Sequence, residues 1–341
     1  MVRIGIVGVG FMGMIHFYGA KKLRGAKVTA ISSRNPKKLA GDWSSIQGNF
    51  GPRGSANEDL RGVARYPEID QLFADPSIDL VDICLPTDQH PGAAIAALRA
   101  GKHVLVEKSI ALDPRDANRM VAEAKKAGRQ LMVAHVLPFF PEFAFARQVI
   151  RSNKYGKLFA AHFKRIISKP TWSADIASLE KTGGPGVDLH IHDTHFIGLV
   201  CGVPKQVYSR GITERGYVQH LTTQYLYEDP SLCVTCTSGA ICQQGRPFVH
   251  GYEIYLEKAT LIYESGTQPL TVLTADGKSS QPKLGSGDPT VAFTNELQHA
   301  VNVISRGAEP AELSGELARD ALLLCQREAK SVLTGKAVGV R

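Results

Sequence analysis

The segment MVRIGIVGVGFMG, residues 1–13, decides the fold of the first part of the chain. The apolar run at residues 2–7 predicts a strand that is buried on both faces of a parallel sheet. Gly8, Gly10 and Gly13 follow at once in the spacing G-x-G-x-x-G, and a helical pattern of large apolar residues comes next. In this context the first glycine permits the turn, the second lets the backbone approach a pyrophosphate, and the third lets helix and strand pack closely. The unpaired N–H groups at the helix start then favour the anion, so the segment predicts a dinucleotide-binding domain.

The end of the second predicted strand indicates which dinucleotide is preferred. An acidic residue about 20 positions after the last fingerprint glycine would accept hydrogen bonds from the adenosine ribose. Ser33 occupies that place, Arg34 follows it, and Lys38 is close behind. A hydroxyl beside a guanidinium binds a 2′-phosphate through charge-assisted hydrogen bonds. The sequence therefore favours NADP, with NAD as the alternative if Arg34 only stacks on adenine.

Length and composition limit the classes of function. A chain of 341 residues suits two domains, and 43% apolar with 21% charged residues is typical of a soluble globular protein. No apolar run is long enough to cross a bilayer and the first residues show no signal-peptide pattern, so we expect a cytoplasmic protein without a membrane partner. The net charge of +8 comes from scattered residues rather than a dense basic run. An anionic cofactor explains this charge better than a nucleic acid, and we expect no nucleic-acid partner.

The pattern of elements changes near Pro138. Up to residue 137, strands alternate with helices, which predicts an α/β domain with a doubly wound parallel sheet over residues 1–137. Beyond residue 206, alternating segments follow one another without helix-length separators. They predict an antiparallel meander inside a second domain, residues 138–341.

Two polar segments follow predicted strands of the first domain. Residues 86–90 (PTDQH) come after the strand predicted at 79–85, and residues 107–109 (EKS) come after the strand predicted at 103–106. Ligands of doubly wound sheets bind outside the carboxyl ends of the strands. Both segments are therefore candidates for contact with the cofactor.

The histidine-rich stretch GGPGVDLHIHDTHF, residues 183–196, is the main candidate for chemistry in the second domain. It predicts a helix entered from a tight turn, on which Asp188, His192 and His195 share one face and His190 points away. A carboxylate four residues before a histidine can fix the tautomer and stabilise the imidazolium that forms when the histidine takes a proton.

Two other interpretations of that face stay open. The histidines can simply cap the helix or fill a polar interior. Alternatively, Asp188, His192 and His195 supply two imidazoles and a carboxylate, which is enough to begin a metal site, although three ligands within two helical turns need further help to converge on one ion.

Five segments give the chain a family resemblance: residues 8–13 (GVGFMG), 86–90 (PT…H), 100–109 (AGKHVLVEKS), 183–192 (GG…D-x-x-x-H) and the pair at 288–289 (DP). Together they resemble the Gfo/Idh/MocA oxidoreductases (glucose-fructose oxidoreductase, inositol dehydrogenase and relatives) over essentially the whole chain. The resemblance implies a Rossmann domain and a second α/β domain with a large, open, mainly antiparallel sheet. It also implies a nicotinamide cofactor, a sugar, polyol or sugar-derivative substrate, and a homodimer or homotetramer formed through that sheet.

The resemblance assigns roles to three residues. Lys108 falls on the lysine of the family's active centre, and Asp188 and His192 fall on its D-x-x-x-H pair. It thus implies an NAD(P)-dependent dehydrogenase in which His192 is the base, Asp188 orients it, and Lys108 stabilises the substrate oxygen. Ser109 stands where the family usually has proline.

Further contacts follow from the motifs and the resemblance together. The residues expected to bind the cofactor are Gly8, Gly10, Phe11, Met12, Gly13, Ser33, Arg34, Lys38, Pro86, Thr87, His90, Glu107 and Lys108. Two residues, Trp172 and His195, are expected to contact the substrate. A stacking role on a sugar and a core position are equally compatible with the sequence around Trp172.

Two competing functions use the same residues. A redox-neutral lyase, glycosidase or epimerase would oxidise a hydroxyl transiently and return the hydride to a resident cofactor. A non-catalytic sensor would bind the cofactor without turnover, which the presence of Lys108, Asp188 and His192 argues against.

Overall fold

The computed structural model describes residues 1–48, 50–169, 178–285, 288–307 and 310–340. The chain folds into two compact units. The first unit comprises Met1–Phe139 with Asp288–Arg319, and the second comprises Phe140–Gly287 with Asp320–Arg341. The boundary predicted after residue 137 lies within a few residues of the first division, but residues 288–319 pack with the first unit and not with the second.

The first unit is built on a six-stranded parallel sheet in the order β3-β2-β1-β4-β5-β6. Its strands are β1 (Val2–Val7), β2 (Ala26–Ser32), β3 (Ala64–Tyr66), β4 (Leu80–Ile83), β5 (His103–Glu107) and β6 (Leu131–Ala134). Its helices within Met1–Phe139 are α1 (Phe11–Ala20), α2 (Pro36–Ala40), α3 (Ile69–Ala74), α4 (His90–Arg99) and α5 (Pro114–Ala127). The predicted doubly wound sheet is confirmed, and its strand order reverses between β1 and β4, which is where such sheets bind ligands.

Helix α5 shows why these segments form where they do. The side chain of Asp113 accepts the N–H of Arg115 at 2.8 Å, and Pro114 occupies the first turn, where no amide donor is needed. Gly128 ends the helix in the left-handed conformation, with φ of +61°. One face of the helix, which includes Met120, is buried against the sheet, as the sequence pattern predicts.

The second unit contains a nine-stranded sheet in the order β14-β13-β12-β11-β7-β10-β9-β8-β15. Its strands are β7 (Leu158–Ser168), β8 (Gln206–Glu214), β9 (Tyr217–Leu226), β10 (Cys233–Cys242), β11 (Val249–Leu256), β12 (Ala259–Glu264), β13 (Gln268–Thr274), β14 (Ser279–Ser280) and β15 (Val338–Gly339). The sheet is mainly antiparallel, as expected, and the predicted meander holds for β8-β9-β10 and for β11-β12-β13 but is broken between β10 and β11. Strand β7 lies between β10 and β11 and pairs with β10 in parallel, so the longest strand enters the middle of the sheet.

The helices of the second half are distributed over both units. The second unit contains α6 (Pro141–Arg151), α7 (Leu179–Thr182), α8 (Pro185–Asp188) and α9 (Ile191–Cys201). Helix α10 (Thr290–Arg306) belongs to the first unit, where Leu297 packs against Gly19 of α1, and the unit boundary falls within α11 (Gly315–Thr334). In the ranges that the structure describes, no helix is both long enough and apolar enough to cross a membrane.

The long connection between α2 and β3 is ordered over its described residues. Trp43 is completely buried, its ring centroid lies 4.9 Å from that of Phe17 on α1, and its indole N–H donates to the carbonyl oxygen of Lys38 at 2.8 Å. This connection therefore packs over the helix that follows the glycine turn.

Candidate active site

The glycine turn between β1 and α1 has the geometry that the fingerprint predicts. Gly8 has φ of +94°, and a Cβ there would lie 2.6 Å from the carbonyl oxygen of Cys84 at the end of β4. A Cβ on Gly13 would collide with the carbonyl oxygen of Gly8, whereas a Cβ on Gly10 would meet no heavy atom within 4 Å. Packing within the protein therefore explains why glycine is required at positions 8 and 13, but it does not explain the glycine at position 10. The open side of Gly10, at a helix start without a side-chain cap, fits the close approach of a pyrophosphate.

Aromatic side chains surround the start of α1. Phe11 and Met12 are the first residues of the helix and are half-buried. The ring of Phe11 meets Phe50 edge-on at a centroid distance of 4.9 Å, and Phe50 stacks on Phe293 of α10 at 5.2 Å. The residues next to the glycine turn are thus held by rings from two other segments of the same unit.

The residues expected at the adenosine end lie after β2. The Lys38 ammonium donates to the carbonyl oxygen of Val9 at 2.8 Å, and its burial lowers the pKa of that amine. Lys38 therefore braces the glycine turn in this structure. Ser33 is half-buried and its hydroxyl accepts the N–H of Asn35 at 3.2 Å, while Arg34 is exposed.

The histidine of the 86–90 segment is placed differently from its predicted role. His90 is completely buried, with Nδ1 2.8 Å from the carbonyl oxygen of Ser109 and Nε2 2.8 Å from that of Leu85. Burial lowers the pKa of this imidazole. Because backbone oxygens occupy both ring nitrogens, the prediction of a direct cofactor contact by His90 is corrected. Pro86 is half-buried and Thr87 is buried beside it.

Glu107 and Lys108 form the carboxyl end of β5. The buried carboxylate of Glu107 accepts the backbone N–H of Lys108 through Oε2 at 3.1 Å, and its Oε1 lies 3.2 Å from Nε2 of His16. Lys108 is half-buried, and the peptide bond between Lys108 and Ser109 is cis. Glu107 therefore binds the chain at Lys108 and faces a buried histidine, a geometry that differs from the cofactor contact expected of it.

His16 is a site residue that sequence reasoning missed. Its Nδ1 lies 2.9 and 3.1 Å from the two carboxylate oxygens of Asp82, and its Nε2 lies 4.0 Å from Glu296 of α10. Burial alone would lower the pKa of His16, but Asp82 and the neighbouring Cys84 outweigh it and raise this pKa well above its ordinary value. A signal for this cluster exists in the sequence, because His16 and Asp82 each interrupt an apolar run and buried polar groups need partners.

The contacts of the cluster are those of an ion-pair network. Among the described residues, the donor atoms of His16, Asp82 and Cys84 do lie within 4.8 Å of one another. Both imidazole nitrogens, however, face carboxylates, and burial first and Asp82 second raise the pKa of the Cys84 thiol, which keeps it protonated. A protonated thiol and an imidazolium are poor metal ligands.

The histidine-rich stretch forms two helices and not the single helix predicted. Helix α8 ends at Asp188, α9 begins at Ile191, and the N–H of His190 donates to the carbonyl oxygen of Pro185 at 3.0 Å, five residues back instead of four. This wider turn interrupts the regular i, i+4 spacing on which the shared face depended. Asp188 and His192, both half-buried, therefore belong to different helices.

Buried charges fix the residues on either side of His192. Nε2 of His190 lies 2.9 Å from a carboxylate oxygen of Glu328. The guanidinium of Arg165 donates to a carboxylate oxygen of Asp193 at 2.6 Å. Burial alone would lower the pKa of His190, but the Glu328 carboxylate outweighs it and raises this pKa. These pairs connect α9 to β7 and α11.

His195 is part of the interior. It is completely buried, and this burial lowers its pKa to about 3, so the ring is neutral near pH 7. The expectation that His195 contacts the substrate is therefore corrected, because its side chain has no exposed surface in this structure. Among the described residues, the ligand atoms of Asp188, His192 and His195 do not form a group within 4.8 Å of one another, which argues against the metal interpretation. Trp172, the other predicted substrate contact, lies outside the described residues.

The chain is similar in sequence to proteins of known family. Residues 2–135 match the model of an oxidoreductase family with an NAD-binding Rossmann fold, GFO_IDH_MocA. The chain is 25% identical over 352 residues to myo-inositol 2-dehydrogenase of Thermotoga maritima, covering 99% of this chain and 98% of that one. It is 24% identical over 357 residues to inositol 2-dehydrogenase of Rhizobium meliloti, covering 99% of each.

Solved structures show the same fold over the whole chain. An oxidoreductase of Agrobacterium radiobacter in complex with NAD+, L-tartaric acid and magnesium superposes with a TM-score of 0.81 at 20% identity, covering 99% of this chain and 98% of that one. An NAD-binding oxidoreductase of Klebsiella pneumoniae gives a TM-score of 0.84 at 20% identity, covering 100% of this chain and 99% of that one.

Proposed function

We propose that this chain is a Gfo/Idh/MocA oxidoreductase, a dehydrogenase that transfers a hydride between a nicotinamide cofactor and a secondary alcohol of an inositol, sugar or other polyol. The observation that carries the proposal is the glycine turn, where the one fingerprint glycine without a packing reason borders open space. The end-to-end similarity to two inositol dehydrogenases supports the substrate class.

Three residues are proposed for the chemistry. His192 removes the hydroxyl proton as general base, and Asp188 stabilises the resulting imidazolium. Lys108 donates a hydrogen bond to the substrate oxygen and stabilises the charge that develops there. The nicotinamide, when bound, accepts the hydride in oxidation or returns it in reduction. The half-buried state of all three residues is compatible with contact to a small polar substrate.

The experiment is a test of turnover against a panel of inositols, sugars, polyols and glycosides with each cofactor, followed by nicotinamide absorbance. We expect His192→Ala to lower kcat by about 10²-fold or more, because general base catalysis is lost, with an unchanged Kd for the cofactor. His162→Ala, an exposed histidine of β7, is the matched control and should behave as wild type. Equal activity of His192→Ala and wild type would remove His192 from this role.

For the cofactor we propose NADP, with Arg34 binding its 2′-phosphate. Arg34 is exposed just after β2, and Ser33 supplies a hydroxyl beside it. We expect Arg34→Ala to raise the Kd for NADP by roughly tenfold more than the Kd for NAD, because only NADP carries the extra phosphate. Equal weakening of both cofactors in direct titrations would overturn the preference.

We also propose that copies of the chain associate through the nine-stranded sheet as a homodimer or homotetramer. Four of its strands expose large apolar side chains, among them Phe159 on β7, Ile212 on β8, Ile241 on β10 and Leu273 on β13. Analytical ultracentrifugation of the wild type and of Ile212→Lys would test this, since a monomeric wild type contradicts it. The cytoplasmic location stays a prediction.

A further inference from the structure

We propose that His16 and His90 are positioning residues for Lys108, and that they hold the backbone on its two sides. His16 acts through the carboxylate of Glu107, and His90 acts through the carbonyl group of Ser109. The inference rests on the role proposed above for Lys108, and it adds two buried histidines that do not touch the substrate in that role.

On the N-terminal side of Lys108, a series of contacts leads from helix α1 to the end of strand β5. His16, on α1, faces Asp82 of β4 with one nitrogen and Glu107 of β5 with the other, at 2.9 and 3.2 Å. Glu107 then uses its second oxygen to accept the N–H of Lys108 at 3.1 Å. One carboxylate thus bridges a buried imidazolium and the backbone of the proposed active-site lysine.

The charges of the cluster favour a role in geometry over one in stability. His16 is completely buried among the carboxyl groups of Asp82, Glu107 and Glu296, and replacing such buried ionic groups by apolar ones is often neutral or stabilising. Burial raises the pKa of Glu296 well above its ordinary value, and Glu107 and Asp82 raise it further although His16 opposes this, so the site favours the neutral form of this carboxyl group. His16 therefore pairs with Asp82 and Glu107, and the orientation of Glu107 depends on it.

On the C-terminal side of Lys108, His90 lies between two strand ends. Nδ1 of His90 lies 2.8 Å from the carbonyl oxygen of Ser109, and Nε2 lies 2.8 Å from that of Leu85, which follows β4. The residue after Lys108 thus lies against a ring with no solvent exposure, and the neutral ring, which carries one N–H, donates to Ser109 when that proton is on Nδ1. Lys108 has a held residue on each side, which limits the directions in which its side chain can leave the backbone.

The first experiment is a double-mutant cycle on the holoenzyme. His16→Gln and His90→Gln are each measured in the wild-type chain and in Lys108→Ala, with the better of the two cofactors and the best substrate of the panel. We expect each substitution to lower kcat roughly tenfold in the wild-type chain, with cofactor Kd unchanged, and to have no further effect in Lys108→Ala. The same fold-loss in both backgrounds would show that the histidines do not act through Lys108 and would overturn the inference.

The second experiment does not depend on activity. The rate at which an amine-reactive reagent labels Lys108 is measured by mass spectrometry relative to exposed Lys126 in the same molecules. We expect each histidine substitution to raise this ratio roughly threefold, because a less restrained backbone exposes the half-buried amine. His299→Gln removes the contact of another histidine with a carboxylate, Glu312 at 3.3 Å in the same unit, and should leave the ratio unchanged.

The outcomes separate the two proposals. Full activity of Lys108→Ala contradicts the proposed function, while the labelling ratio still reports on positioning. An unchanged ratio in both histidine variants overturns the positioning inference whatever the activity. If His16→Gln does not fold, His90→Gln gives the same test from the other side of Lys108.

Discussion

The buried charges next to Lys108 and those next to His192 are arranged in different ways. In the first unit, one imidazole faces three carboxyl groups, and burial raises the pKa of one of them, Glu296, well above its ordinary value. In the second unit, Arg165 pairs with Asp193 and His190 pairs with Glu328, so each of these buried carboxyl groups faces one basic side chain. The first arrangement takes up a proton to compensate an excess of carboxyl groups, whereas the second has none to compensate.

The difference has a consequence for how each unit responds to change. A matched pair loses its compensation completely when one partner is removed, because the other charge stays buried. An excess carboxyl group whose pKa is raised favours its neutral form, and a neutral residue of the same shape can replace it. Replacing one buried ionisable side chain by a neutral one should therefore lower the free energy of unfolding when the residue is Arg165 of the second unit and raise it when the residue is Glu296 of the first.

The largest effect is expected from Arg165→Met. The side chain of Arg165 is 5% exposed and that of its partner Asp193 is 0% exposed, so the substitution leaves a buried carboxylate unpaired and should lower the free energy of unfolding by about 3–5 kcal/mol. Chemical denaturation measures this, and the double variant Arg165→Met with Asp193→Leu should recover most of it. Lys205→Met, which removes an exposed pair with Glu228, is the control and should change little. A small loss in Arg165→Met would show that the second unit does not depend on matched charges.

The opposite sign is expected from Glu296→Gln. The pKa of Glu296 is raised in the folded chain above its ordinary 4.5, so folding takes up a proton and wild-type stability falls as pH rises from 4.5 through the folded pKa. The neutral variant does not lose stability in this way. Its free energy of unfolding should therefore rise relative to that of the wild type by about 1.4 kcal/mol for each pH unit in that range. Unfolding free energies at about pH 4 and about pH 7 test it, with near equality expected at the lower pH. Destabilisation of Glu296→Gln at neutral pH would contradict a protonated carboxyl group.

The smallest effect on stability near neutral pH is expected from His195→Leu. The folded pKa of His195 is lowered from 6.5 to about 3, so its contribution to stability is present above pH 6.5 and is lost as pH falls towards 3. At about pH 6 the wild type should already have lost about 1 kcal/mol that the variant keeps, and the difference should grow at lower pH. Thermal or chemical unfolding of both proteins against pH measures the slope. Parallel pH profiles would show that His195 is not buried as a neutral ring.

Features set by neighbouring residues could be predicted from the sequence. The strand, glycine turn and helix at residues 2–20 and the cap of α5 at Asp113 depend on interactions within a few positions. The junction at His190 is also local, but a hydrogen bond to Pro185 instead of residue 186 leaves no mark on residue spacing. The prediction of one helix therefore failed by a single hydrogen bond.

Features that join distant residues could not be predicted. The sheet of the second unit pairs β10 with β7 in parallel across about seventy intervening residues, and adjacency in sequence favoured a meander instead. The cluster around His16 draws on Asp82, Glu107 and Glu296, and the sequence shows only that each needs a partner. Likewise, His90 follows a strand end as a cofactor contact would, and only its two backbone partners reveal the different role.

The return of residues 288–319 to the first unit has a consequence for biosynthesis. A ribosome that has made Met1–Phe139 has not yet made α10, which carries Glu296 and Phe293, and it must add about 180 more residues to reach Arg319. At roughly 5–20 residues per second, the nascent sheet waits on the order of ten seconds for its last helix. During that interval the surface of α1 that Leu297 later covers is exposed to solvent.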